Sequence, residues 1–118
     1  MSPALGSLRY ASCNFGRMAF VRAPFPSQPW TQGGHPLERK KTLPQRGLTL
    51  LEFDPGFADP TVCLAGHFMF VLEGSFGLEL DGGLERLEAG EACFLDPGTG
   101  HRARNLGTNV VRLVVLAL

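Results

Sequence analysis

The chain has 118 residues, 44% of them hydrophobic, with 11 Lys or Arg balanced by 11 Asp or Glu. That length makes one domain, and area scaling buries about two-thirds of the unfolded surface, enough for a single core. No stretch approaches the ~20 apolar residues of a spanning helix, the start MSPALGSLRY lacks the basic and long apolar segments of an export signal, and Cys13, Cys63 and Cys93 show neither even pairing nor CxxC spacing. A membrane protein, a disulfide scaffold and a zinc knuckle are disfavoured, and a cytoplasmic protein with reduced thiols is expected.

Taken from its start, the chain is basic and then acidic. Residues 1–47 carry seven Lys or Arg and one acid, Glu38, whereas 48–118 carry four bases and ten acids. A basic arm lying against the acidic body of its own or a partner subunit accounts for this split. Nucleic-acid binding is not expected, because Arg39-Lys40-Lys41 is a three-residue run without interleaved aromatics. Eight of the nine prolines precede residue 61, and the stretch from Pro24 to Gly34 is loop-like throughout. Residues 1–47 therefore read as an arm, with one short strand over Arg17 to Val21 and an exposed His35. Its Phe20, Phe25 and Trp30 need a surface to cover.

Residues 48–118 read as the folded body. Leu48 to Phe53 is its first expected strand, closed by Asp54-Pro55-Gly56, and Pro60 marks the start of the next. From Gly66 onward, glycines at 66, 74, 82, 83, 90, 98, 100 and 107 set a turn about every eight residues. Between them lie Phe68 to Leu72, Phe76 to Leu80 and Ala92 to Leu95, rich in aromatic and branched residues and too short for separate helices. Phe76, Leu78 and Leu80 share one face, and Asp81-Gly82 predicts a type I′ hairpin turn. Val110 to Leu118 is apolar on both faces apart from Arg112, as in a strand buried on two sides. Consecutive antiparallel strands at this spacing predict an all-β sandwich, jelly roll or barrel.

The run Val71-Leu72-Glu73-Gly74, Glu79-Leu80-Asp81-Gly82, Leu87-Glu88-Ala89-Gly90-Glu91 and Pro97-Gly98-Thr99-Gly100-His101 through Asn105 resembles the cupins. These are small double-stranded β-helix (jelly-roll) barrels, and the resemblance covers roughly Leu48 to Leu118. The second cupin motif is G, five residues, P-x-G, two residues, H, three residues, N. Here Gly90, Pro97, Gly98, His101 and Asn105 match it with only the proline moved by one place. The first motif is G, five residues, H-x-H, three or four residues, E, six residues, G, and it ends on Gly74 with His67 in the glutamate slot. Its histidine pair falls on Val62 and Leu64 when counted forward from Gly56, or on Thr61 and Cys63 when counted back from His67. Neither register supplies a histidine.

The resemblance implies an inward-facing site and, through the arm, a homodimer. On an unbroken strand Cys63 and His67, four apart, share one face with Met69 and Val71. Cys63, His67 and His101 then form a possible metal set, three ligands as in a catalytic zinc site and tolerant of iron or nickel. The plain alternative is a buried thiol and two hydrogen-bonded imidazoles around an apolar pocket, with His67, Met69 and His101 touching a small organic ligand. Cys93 reads as core. Two functions follow: a stand-alone barrel binding a small organic ligand, or a metal-dependent enzyme of dioxygenase or isomerase type with an atypical Cys/His/His site. No GxSxG, Walker A or GxGxxG element is present, and no helix-turn-helix accompanies the barrel.

Overall fold

Period-two alternation along short segments, broken at nearly every turn by a glycine, leaves each strand one face to bury. A computed structural model shows the solution for residues 20–118, the part of the chain described here. The strands are β1 (Thr31–Gln32), β2 (Glu38–Leu43), β3 (Leu48–Phe53), β4 (His67–Glu73), β5 (Ser75–Leu80), β6 (Gly83–Glu88), β7 (Ala92–Leu95), β8 (His101–Asn105) and β9 (Val111–Ala117). Two antiparallel sheets face each other, ordered β1-β2-β3-β9-β4-β7 and β6-β5-β8. This is the all-β jelly roll that the turn spacing predicts.

Inward-pointing side chains fill the space between the sheets. Phe57, Phe76, Leu78, Val71, Val111 and Leu113 are fully buried. Phe53 stacks on Phe57 at 3.9 Å between ring centroids, and Phe76 lies 6.2 Å from Phe53. Each such side chain withdrawn from water contributes about 1.5–3 kcal/mol.

β9 is the central strand of the larger sheet, yet only its inward residues Val111, Leu113 and Val115 are buried; Leu116 is exposed and Val114 half-exposed. The expectation of burial on both faces is corrected, because no layer among the described residues covers the outer side. Across that face Leu48, Leu116, Phe68 and Phe94 stand in one register row and Leu50, Val114, Phe70 and Ala92 in the next. Phe94 is 71% exposed. At the end of these rows Glu52 is buried between two arginines. Its Oε1 accepts from Arg39 Nε at 2.7 Å and its Oε2 from Arg112 Nε at 2.8 Å.

Other local expectations meet different outcomes. The strand expected at Arg17 to Val21 falls mostly outside the described residues, and Phe20 and Val21 are not in a strand. Within the stretch read as an arm, β1 and β2 join the larger sheet, and β2 pairs with β3 along its whole length from Glu38↔Phe53 to Leu43↔Leu48. Its sequence, ERKKTL, hides the strand because the alternation is charge against charge, with Arg39 and Lys41 outside and Glu38 and Lys40 inside. Trp30 covers this outer side, with Lys41 Nζ 4.6 Å above its ring. The hairpin joins Leu80 to Gly83 through Asp81-Gly82 as expected, but Asp81 does not take the positive φ that type I′ requires; only Gly82 does, at +102°.

The segment after Pro60 is not a ladder strand. It touches β8 through isolated bridges, Ala58 with Arg104 and Cys63 with His101. Proline has no N–H to give, and the Asp59 carboxylate takes the Ala103 N–H at 2.9 Å where a strand would offer a carbonyl. The segment is nevertheless held: Asn105 N–H donates to Phe57 O, Asp59 N–H to Ala103 O, and Cys63 and His101 exchange two backbone bonds of 2.8 and 3.0 Å.

Candidate metal centre and barrel cavity

That two-bond bridge fixes Cys63 beside His101, and the first residue of β4 brings His67 against both. The three donor atoms lie within 4.8 Å of one another. The two imidazoles meet edge to face, with centroids 5.5 Å apart and planes at 78°. The expected same-face relation of Cys63 and His67 therefore holds without the continuous strand from which it was argued.

The glycine-rich turns set this geometry. Gly66 precedes His67, and a Cβ there would lie 2.7 Å from the Pro97 ring, so the Asp96–Thr99 turn seats directly on it. Gly98 N–H donates to Leu64 O at 2.8 Å, tying the same turn to the Cys63 segment. The turn then delivers His101, which is 3% exposed, with Nδ1 2.9 Å from Thr99 O. A carbonyl only accepts, so Nδ1 donates to it, and such a bond orients an imidazole so that Nε2 is the nitrogen presented to a metal. His67 Nδ1 is buried with no hydrogen-bond partner. Burial, and then the neighbouring His101, pushes the His67 pKa below the ordinary imidazole value, which keeps it in the neutral form that binds metals.

The cluster lines a cavity of about 240 Å³ inside the barrel. This is smaller than the ~300–1,000 Å³ typical of sites for drug-sized ligands. Met69 lines it, as the phase of β4 predicts, along with Phe53, Phe76, Leu113 and Val115. Val71 points inward but is packed into the core.

The charged part of the lining was not foreseen. Glu38 and Lys40 of β2 and Asp59 of the bridging segment also line the cavity. Glu38 and Lys40 were assigned to the arm, and only their i, i+2 spacing toward Thr42 signals a common inward face. His35, expected to be exposed, is half-buried and packs edge-on against Phe57 at 5.0 Å. Cys93 packs partly against the core opposite Met69, as expected, and burial raises its thiol pKa.

The profile of the family described as "Cupin domain" matches residues 51–117. The chain belongs to the cupin family. No curated protein matches the chain significantly by sequence. Among solved structures, this cupin resembles KdgF from a Halomonas species at 23% identity, over 78% of this chain and 89% of that one, with a TM-score of 0.65. The polyketide cyclase RemF from Streptomyces resistomycificus is 27% identical over 86% of this chain and 79% of its own, with a TM-score of 0.66. A sugar phosphate isomerase of the cupin superfamily from Silicibacter pomeroyi is 17% identical, over 82% and 74%, with a TM-score of 0.69. A shared barrel does not carry a shared reaction, since chemistry resides in the site. No helix among the described residues is long and apolar enough to cross a membrane.

Proposed function

We propose that this cupin binds one divalent metal through Cys63, His67 and His101 and uses it to hold a small organic molecule in the barrel cavity as a metal-dependent enzyme. The observation that carries this reading is the convergence of three donor atoms within 4.8 Å at the cavity wall, one imidazole with a buried nitrogen that no protein group satisfies. Unpaired buried polar atoms are uncommon, and a ligand bond accounts for this one. A tetrahedral ion with bonds of ~2.0–2.3 Å separates its ligands by roughly 3.5 Å, so modest side-chain rotations close the set. One thiolate and two imidazoles favour zinc, with iron and nickel as competitors. Three protein ligands leave a position open, where the metal would act as a Lewis acid on a ligand oxygen.

The test is elemental analysis of tag-free protein. Near-stoichiometric zinc, lost in both Cys63→Ala and His101→Ala while each variant stays folded, is the expected result. Protein that remains metal-free after incubation with zinc, iron and nickel would sink the enzyme reading and leave a simple ligand-binding barrel.

The same proposal includes a homodimer, with a second copy over the outer sheet face. Phe94 and Phe68 lie 5.1 Å apart on that face, and Arg112 and Glu73, paired at 2.7 Å at its end, offer both charges to a two-fold-related copy.

A further inference from the structure

Besides the candidate metal centre, the cavity lining carries two acids and one base, an uncommon set for an interior that is otherwise mostly apolar. Glu38 and Lys40 reach it because β2 presents every second residue inward, and Asp59 because its segment tracks β8. Each is held differently. Asp59 is committed, its Oδ2 accepting the Ala103 N–H. Lys40 forms no ion pair with a carboxylate among the described residues, although it is close enough to Glu38 to act on its charge. The Glu38 side chain lies under the β1–β2 turn, where a Cβ on Gly33 would come within 2.5 Å of it.

We propose that Glu38 is the proton-transfer residue of this cavity and that Lys40 anchors the carboxylate of a small 2-oxo acid. The inference rests on the metal-centred reading above and names its substrate class. One unpaired ammonium beside an acid suits a monoanionic carboxylate; a phosphate dianion would face Asp59 with a single counter-charge. Proton transfer needs a carboxyl that exchanges its proton near the working pH. Burial, and then the Asp59 charge, raises the Glu38 pKa above its ordinary value, while Lys40, the Gly34 N–H and His35 act in the other direction. The step is removal of a proton from the carbon next to the carbonyl. The C–H bond breaks, its proton passes to the Glu38 carboxylate, and the electron pair moves onto the carbonyl oxygen. Return of a proton from Glu38 restores the 2-oxo acid without any change of oxidation state.

The experiment uses pyruvate in D₂O with zinc-loaded protein, following loss of the methyl proton signal by NMR while zinc content is measured on the same samples. The expected result is catalysed exchange by the wild type. Glu38→Gln should lower it at least ~100-fold with zinc retained, within the usual contribution of a general base. Lys40→Met should raise the pyruvate KM by an order of magnitude with kcat little changed. Asp59→Asn should shift the pH profile of exchange to lower pH without abolishing it. A second readout needs no metal: pyruvate should perturb the NMR shifts of cavity residues in zinc-free wild type and not in Lys40→Met. Exchange by Glu38→Gln within threefold of wild type overturns the proposal. So does a zinc-replete wild type that neither binds pyruvate nor exchanges its protons. A wild type that takes up no metal when incubated with zinc, iron or nickel, yet still binds pyruvate through Lys40, defeats the metal reading instead.

Discussion

Glu52 and Asn105 show how single side chains hold this barrel. Glu52 is the one buried acid among the described residues, and both its oxygens are taken by arginines that remain about a third exposed. Glu52→Ala leaves Arg39 and Arg112 facing each other, and is expected to cost about 2–3 kcal/mol in urea unfolding, less than a fully buried pair because both guanidiniums keep water. Asn105, the last residue of the second cupin motif, does not reach the cavity lining. It staples the β8–β9 loop, donating to Phe53 O and Asn109 O and accepting the Gly107 N–H at 2.8–3.0 Å. Asn105→Ala should lose about 2–3 kcal/mol of stability and leave the metal content unchanged. For Glu38 the sign runs the other way. A carboxyl that holds its proton more tightly folded than unfolded makes stability fall as pH rises from its unfolded pKa through its raised folded one. Glu38→Gln should therefore raise Tm at pH 7 by a few degrees and change it little at pH 4. Equal shifts at both pH values would point to packing instead of charge.

At the level of strands and turns, the position of a glycine decides its worth. Gly74 ends β4 with φ +87°, and a Cβ there would fall 2.6 Å from Val110 O; Gly82 has φ +102° and open space around it. Gly74→Ala should destabilise by at least about 2 kcal/mol and Gly82→Ala by about 1 kcal/mol, a contrast measurable in one set of thermal melts. Such glycines punctuate the sequence, which is why β3 and β7 are legible to the residue and β4, β5 and β9 to within one or two. β2 is not legible, because a strand whose two faces are Glu-Lys-Thr and Arg-Lys-Leu shows no apolar period. The candidate site divides along the same line. His67 and His101 follow from the motif and Cys63 from its spacing, but Glu38, Lys40 and Asp59 join the same cavity only through pairings 11 to 44 residues distant in the chain, as Lys40↔Leu51 and Asp59 with Ala103 illustrate. No local pattern encodes such partners.

On the scale of the molecule, the larger sheet has a filled inner face and a largely apolar outer one. A second copy seated there predicts a dimer by light scattering and a monomer for Phe94→Glu, with the metal content of the two proteins equal; a monomeric wild type rules the arrangement out. The inner side has a different weakness. The segment carrying Asp59 and Cys63 is joined to β8 by a few spaced bonds, while no strand among the described residues lies along its far flank. Such an attachment opens like a zip fastened at intervals, one tooth at a time, and the teeth nearest Cys63 are shared with His101. Amide protons of Cys63 and His101 should therefore exchange with solvent orders of magnitude faster than those of Leu113 at the sheet centre, and an ion drawing the thiol and imidazoles together should slow the pair selectively. Solvent exchange at two backbone amides thus becomes a clock for how often the barrel opens its mouth.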